Sequence, residues 1–326
     1  MPKEIVHWMV AKRAGELLSG GPYGPALSRC PNGLLLGSVW HDILFYLRGE
    51  HPAGLKALPH RMHGSHGEDS FEILRVQAAH MHARKDQPLP TALFVGLVSH
   101  IFADAMIHPL VYHLTGNYYD ADEKRRTGAV QRHRALECLM DMVVAGGPDA
   151  VLERSLRSLV NGLEGTLALA VPPEGVAGLA GLSESGATAA QKGLLDALDT
   201  YCTMQSLCRM PTVARLLRDL SGFMPAGLRE IAALFYAPQL FDQRDAVSGR
   251  ISYRNPATGE ELSATLAWLM EQAARRTAEF CAAQAPAITA RGQLADAGPG
   301  PSLDMGLPGV PASQARFFAS RLVPVD

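Results

Sequence analysis

An all-α protein is what the sequence predicts, and three observations predict it. Apolar residues recur at the three-to-four-residue spacing of an amphipathic helix along most of the chain. Runs that alternate polar and apolar residues, as half-buried strands require, are scarce. Clusters of glycine and proline (Gly20–Gly24, Pro52, Pro59, Pro88 with Pro90, Gly146–Pro148) punctuate the periodic stretches. With 326 residues, 47% hydrophobic and 19% charged, the chain is long enough for one large or two smaller domains with a buried core.

The periodicity predicts helices over 4–18, 34–47, 69–85, 91–114, 127–144 and 150–163. The first places Val6, Val10 and Ala14 on one face, together with His7. The fourth is apolar nearly all round, which is the pattern of a buried helix. A Gly/Pro/Ala-rich stretch near 170–187 separates these from helices over 189–207, 211–220, 226–237 and 260–283. The segment ISYRNPATG (251–259) holds a small hairpin or a loop. From Arg291 the chain is rich in glycine and proline and reads as an extended tail draped over the body. No internal repeat is present. The expected organisation is a helical domain over 1–165, a helical region over 188–290 packed on it, and the tail over 291–326.

Thirty basic against 32 acidic side chains leave a net charge of −2, so no global electrostatic case for nucleic-acid binding exists. The five cysteines are widely spaced with no CxxC pair, which argues against both a disulfide framework and a thiolate zinc site. The N-terminus carries no long apolar run before a cleavage site, so no signal peptide is expected. The best transmembrane candidate, 93–114, contains His100, Asp104, His108 and His113, which favours a buried helix of a cytoplasmic protein.

All twelve histidines lie between His7 and His133, and residues 134–326 contain none. Within LVSHIFADAMIHPL, His100, Asp104 and His108 fall at i, i+4 and i+8. Successive members rotate by only about 40°, so they form one stripe about 12 Å long. Three ionisable groups in an apolar helix cannot stay unpaired, and a metal resolves that best, since imidazole and carboxylate are usual zinc ligands. The stripe is too long for one ion and suggests two. His133 and Glu137 repeat the i, i+4 spacing on the next helix, and Asp141 extends the row. His7 by itself reads as a core residue, and Asp42, between Trp40 and Phe45, needs a partner. PHRMHGSHGED offers His60, His63 and His66 on what reads as a loop. His51, His80, His82 and His113 read as surface or packing residues.

Assembled in order, His7, Asp42, His63, the block His100-x3-Asp104-x3-His108-Pro109, and His133-x3-Glu137 resemble the zinc-dependent phospholipase C family. That family shares its all-helical fold with the fungal single-strand nucleases of the P1 type, so the resemblance implies a phospholipase C/P1-nuclease-like bundle with additional C-terminal helices. It covers roughly residues 1–145, and the HxxxDxxxHP block with HxxxE is its most specific piece; the opening MPxxxVH and the MHG segment agree with it. The resemblance implies two or three zinc ions. One would take Asp42, His63, His100 and Asp104, and a second His108, His133 and Glu137. A third would take His7, a bridging Asp104 and the α-amine and carbonyl of an N-terminal Trp. The chain departs from the pattern here: Trp8 follows the histidine, and removal of Met1 would instead free the amine of Pro2. It departs again at Trp40-His41, where relatives commonly have Gly-Pro.

The function so implied is phosphodiester hydrolysis, most simply phospholipase C cleavage of a phospholipid head group by a zinc-activated water, with peripheral contact to a membrane surface. Asp42 is then both ligand and base, the one catalytic residue. Alternatives are a non-catalytic metal-stabilised scaffold that binds lipid or a partner, a nuclease on the same scaffold, and an HD-type phosphohydrolase built on His41-Asp42.

Overall fold

The computed structural model describes residues 3–163 and 170–320, and among them the backbone is all-α apart from one two-stranded hairpin. α1 (Glu4–Leu17) buries Val6, His7, Val10 and Ala14, the face that the spacing predicts. α2 (Gly24–Arg29) and α3 (Pro31–Gly37) each have proline in the first turn, where its missing N–H has no partner to lose. The helix expected over 34–47 is broken: α3 ends at Gly37, and α4 (Trp40–Ile43) with a 3-10 turn (Leu44–Tyr46) follows in a new direction. α5 (Ala53–Met62) forms through Pro59 in a stretch that reads as a loop, placing His60 on a helix and His63 at its C-cap. α6 (Glu72–Ala83) matches its periodic stretch within a turn.

α7 (Pro88–Thr115) is the spine of the molecule, 28 residues long and buried almost throughout. Pro88 and Pro90 lie in its first turn, so it begins three residues earlier than the periodicity predicts. Among the described residues it is the one helix long and apolar enough to cross a membrane, and 83% of its most apolar window is buried inside the bundle. α8 (Glu123–Ala145) begins ahead of the expected 127 because the Asp122 carboxylate caps it through the Arg125 amide, 2.8 Å. The helix expected over 150–163 is two pieces, α9 (Pro148–Leu152) and α10 (Leu156–Asn161), interrupted by the Ser155 cap.

The second half adds α11 (Pro173–Leu179), α12 (Ala187–Cys208), α13 (Pro211–Asp219) and α14 (Ala226–Ala232). Then β1 (Ile251–Arg254) pairs antiparallel with β2 (Glu261–Ala264), Ile251 opposite Ala264 and Arg254 opposite Glu261. The hairpin takes residues 260–264, so α15 (Leu266–Arg291) starts later than expected, at the Thr265 cap. α15 packs on α1 and α7, and α3, α6 and α8 pack on the other sides of α7. One apolar core runs continuously from Ile5 in α1 to Leu303 near the C-terminus. After α15 the chain returns across the bundle, with Pro301 and Pro308 bridged around a turn. Three expectations reach residues outside those described: the amine of Pro2, positions 164–165 of the first domain and 321–326 of the tail.

Candidate metal centre

The stripe on α7 faces α1, α4, α8 and the end of α5, and each contributes one or two side chains. His7 of α1 brings Nε2 to 3.3 Å from Asp104 Oδ1, both groups fully buried. The other oxygen, Oδ2, lies 3.1 Å from His100 Nε2 and 3.8 Å from His63 Nε2. His108 Nε2 stands 3.6 Å from Asp104 Oδ1, which makes this carboxylate the hub of the stripe. Asp42, carried by α4 after the break at Gly37, places Oδ1 3.2 Å from His63 Nε2 and 3.7 Å from His100 Nε2. On the α8 side, Glu137 Oε1 lies 3.0 Å from His133 Nε2 and 3.6 Å from His108 Nε2. Three sets have ligand atoms within 4.8 Å of one another: His7/Asp42/His100, His63/His100/Asp104 and His108/His133/Glu137. All eight residues singled out by spacing and resemblance are in them.

What orients the imidazoles is backbone. His63 Nδ1 donates to Pro59 O (2.7 Å), His100 Nδ1 to Ser38 O (2.8 Å) and His108 Nδ1 to Leu303 O (2.9 Å). A carbonyl only accepts, so each Nδ1 carries hydrogen and each Nε2 is turned toward the centre, where it ligates once any proton it holds is displaced. These three carbonyls have no sequence signal; the residue types at Ser38, Pro59 and Leu303 are incidental.

Among the described residues several buried polar atoms have no hydrogen-bond partner: both nitrogens of His7, Nε2 of His100 and His108, and both oxygens of Asp104. Each such orphan costs about 1–3 kcal/mol, and a cation among them satisfies the set at once. The donors therefore fit zinc, with nitrogen and carboxylate oxygen and no thiolate. The carboxylates favour a positive group at the centre, a proton on His100 or a cation in its place. Burial works against the His100 imidazolium, but Asp104 and Asp42 outweigh it and hold His100 up at about 9. Burial dominates at His108 and lowers it to about 4, and it lowers His7 as well. Asp104 is held well below the usual carboxylate range: burial opposes ionisation, but His108, His100 and His7 overcome it.

Residues 6–161 match the family model described as zinc dependent phospholipase C. That segment of the chain is similar to the zinc-dependent phospholipase C family. No curated protein and no solved structure matches. The matched segment contains all eight side chains, whereas the Leu303 carbonyl against His108 comes from outside it. His41 is in none of the three sets. It is fully buried, its ring stacked on that of His100 at 4.5 Å, with His7 stacked 4.3 Å from the same ring. His60 packs edge-on against Phe45, His66 is exposed, and His113 Nδ1 donates to Phe317 O. Asp141, in register with Glu137, serves the backbone of α1 instead.

A cavity of about 180 Å³ opens beside the centre, lined by Asp42, His63, His108, His133 and Glu137. Its other walls carry rings (Phe45, Tyr46, Tyr118, Tyr201) and the cations Lys3, Arg48 and Arg134. A further carboxylate in the lining, Asp304, accepts from Tyr112 (2.9 Å), Ser65 (3.1 Å) and Tyr119 (3.1 Å). Sequence reasoning missed it, since no spacing links a tail residue to α7.

Proposed function

We propose that the chain is a zinc-dependent phosphodiester hydrolase that cleaves the head group of a phospholipid in the manner of a phospholipase C. The observation that carries the reading is the opening of one cavity onto residues of all three histidine–carboxylate sets. Asp42, His63, His100 and Asp104 would hold one zinc and His108, His133 and Glu137 another, with His7 and Asp104 available to a third. When bound, zinc supplies Lewis acidity that lowers the pKa of water toward ~7 and neutralises charge on the phosphate. Asp42 takes the proton of the attacking water: burial disfavours its charged form, but His100 and His63 keep it ionised. The water oxygen bonds to phosphorus, the bond to the glycerol oxygen breaks, and that oxygen takes up a proton, giving diacylglycerol and a phosphorylated head group. Lys3, Arg48 and Arg134 line the space that the phosphate would enter. The proposed organisation is a helical domain over 1–165 that carries the centre, a helical region over 188–290 packed on it and a Gly/Pro-rich tail over 291–326.

The test is zinc content together with hydrolysis of p-nitrophenylphosphorylcholine. Wild type should bind two or three zinc ions. Asp42→Asn should lower turnover by about 10²–10⁴-fold, the usual contribution of a general base. His100→Ala and Asp104→Ala should lose zinc and melt earlier, because polar groups are then buried without a partner. Full zinc occupancy in both would refute the assignment. Zinc-loaded wild type without hydrolysis of any phosphodiester would favour the scaffold reading.

A further inference from the structure

We propose that residues 207–231 form a docking face for an anionic lipid bilayer at the rim of the cavity. The stretch runs from the end of α12 through α13 to α14, and it holds seven of the eleven exposed large apolar side chains among the described residues. Leu216 (57%), Leu220 (44%), Leu228 (52%) and Ile231 (43%) are exposed, and Phe223, at the turn between α13 and α14, is 91% exposed. α13 buries only Ala214 and α14 buries nothing. Monomer surfaces rarely gather apolar side chains in this way, and such a patch marks an interaction site.

Charge selects the occupant. Within 207–231 the cations are Arg209, Arg215, Arg218 and Arg229, against Asp219 and Glu230. Among the described residues none of Arg215, Arg218 and Arg229 pairs with an acid, so they are available to lipid phosphates at the depth where an interfacial helix lies. A twofold contact with a second copy would instead set this net-positive face against an identical one. The face also adjoins the cavity. α14 packs on α8, where Arg134 donates to Glu230 O (2.6 Å), and Lys3 donates to Leu234 O. Lys3, Arg134 and Leu234 line the cavity. Docking the face therefore brings the Lys3 and Arg134 wall of the cavity close to the head groups. That last connection rests on the phosphodiesterase reading; the docking face itself does not.

The experiment is co-sedimentation of the full chain with vesicles of phosphatidylcholine alone or mixed with phosphatidylglycerol. Wild type should sediment with the mixed vesicles, less at high salt. Leu220→Ser/Phe223→Ser should partition roughly tenfold more weakly or worse, from the apolar area withdrawn. Arg215→Gln/Arg218→Gln should lose the preference for phosphatidylglycerol. Both variants should melt like wild type and hydrolyse a soluble short-chain substrate equally well. Equal binding of wild type and the Leu220/Phe223 variant, or none by wild type, overturns the proposal. So does conversion of a dimer to a monomer by that variant with vesicle binding unchanged, which gives the face to a second copy. Binding that follows these expectations while no protein hydrolyses substrate would refute only the phosphodiesterase reading.

Discussion

Asp141 stands one helical turn beyond Glu137, and spacing alone assigns it to the same row. The fold gives it another task. Its oxygens accept from the amides of Ile5 (3.1 Å) and Val6 (2.9 Å), donors that the first turn of α1 leaves unpaired, and from the Tyr236 hydroxyl (2.6 Å). The same hydroxyl lies 3.1 Å from Glu4 Oε2, and it has one proton for two carboxyls, so a second hydrogen bond needs one of them protonated. Burial, reinforced by Glu4, raises Asp141 to about 7 against the opposing hydrogen bonds. The folded protein thus holds a proton that an unfolded chain releases near pH ~4. Stability from this group is complete below that value and is lost as pH rises through about 7. The melting temperature of wild type should therefore fall between about pH 5 and 8 by more than that of Asp141→Asn, which is less stable by about 1 kcal/mol from the weakened cap but flatter. Parallel melting curves at fixed zinc would disprove it.

At the scale of elements, the decisive contact is between α3 and α7. Gly37 and Gly96 meet so closely that a Cβ on Gly96 would overlap the Leu34 carbonyl oxygen, and one on Gly37 that of Leu93. The closeness delivers the Ser38 carbonyl to His100 Nδ1 and turns α4 so that Asp42 reaches the centre. The helical period over 34–47 was legible, and the break was not, because nothing local at Gly37 distinguishes a tolerated glycine from a point of contact with a distant helix. Gly96→Ala should destabilise the fold by about 1–3 kcal/mol through overpacking. It should also weaken zinc binding by about 10–100-fold, as His100 loses its orienting carbonyl. Calorimetry and competition with a chelator read the two effects separately; a lower melting temperature with unchanged zinc affinity would break the proposed link.

At the scale of the molecule, the segment after α15 completes the centre. Leu303 accepts from His108 and donates from its amide to the His63 carbonyl (2.8 Å), while Asp304 gathers Ser65, Tyr112 and Tyr119. Gly306 adopts φ +75° where a Cβ would overlap the Ala105 carbonyl on α7, so only glycine allows this approach. A chain ending at residue 298 should keep its helices by circular dichroism and bind zinc about 10–100-fold more weakly, because His108 Nδ1 is left without its acceptor. Equal zinc affinity would show the segment to be a bystander. By itself the sequence determined the helical class, the burial of α7, and the alignment of His100, Asp104 and His108, because a 3.6-residue period acts within one element. Only the tertiary structure decided that His7, Asp42 and His63 meet that stripe, that Asp141 leaves it, and that three backbone carbonyls aim the imidazoles. Apart from the local bond of His63 to Pro59, the carbonyl contacts join residues 62 and 195 positions apart and depend on how closely helices approach, which no local pattern encodes.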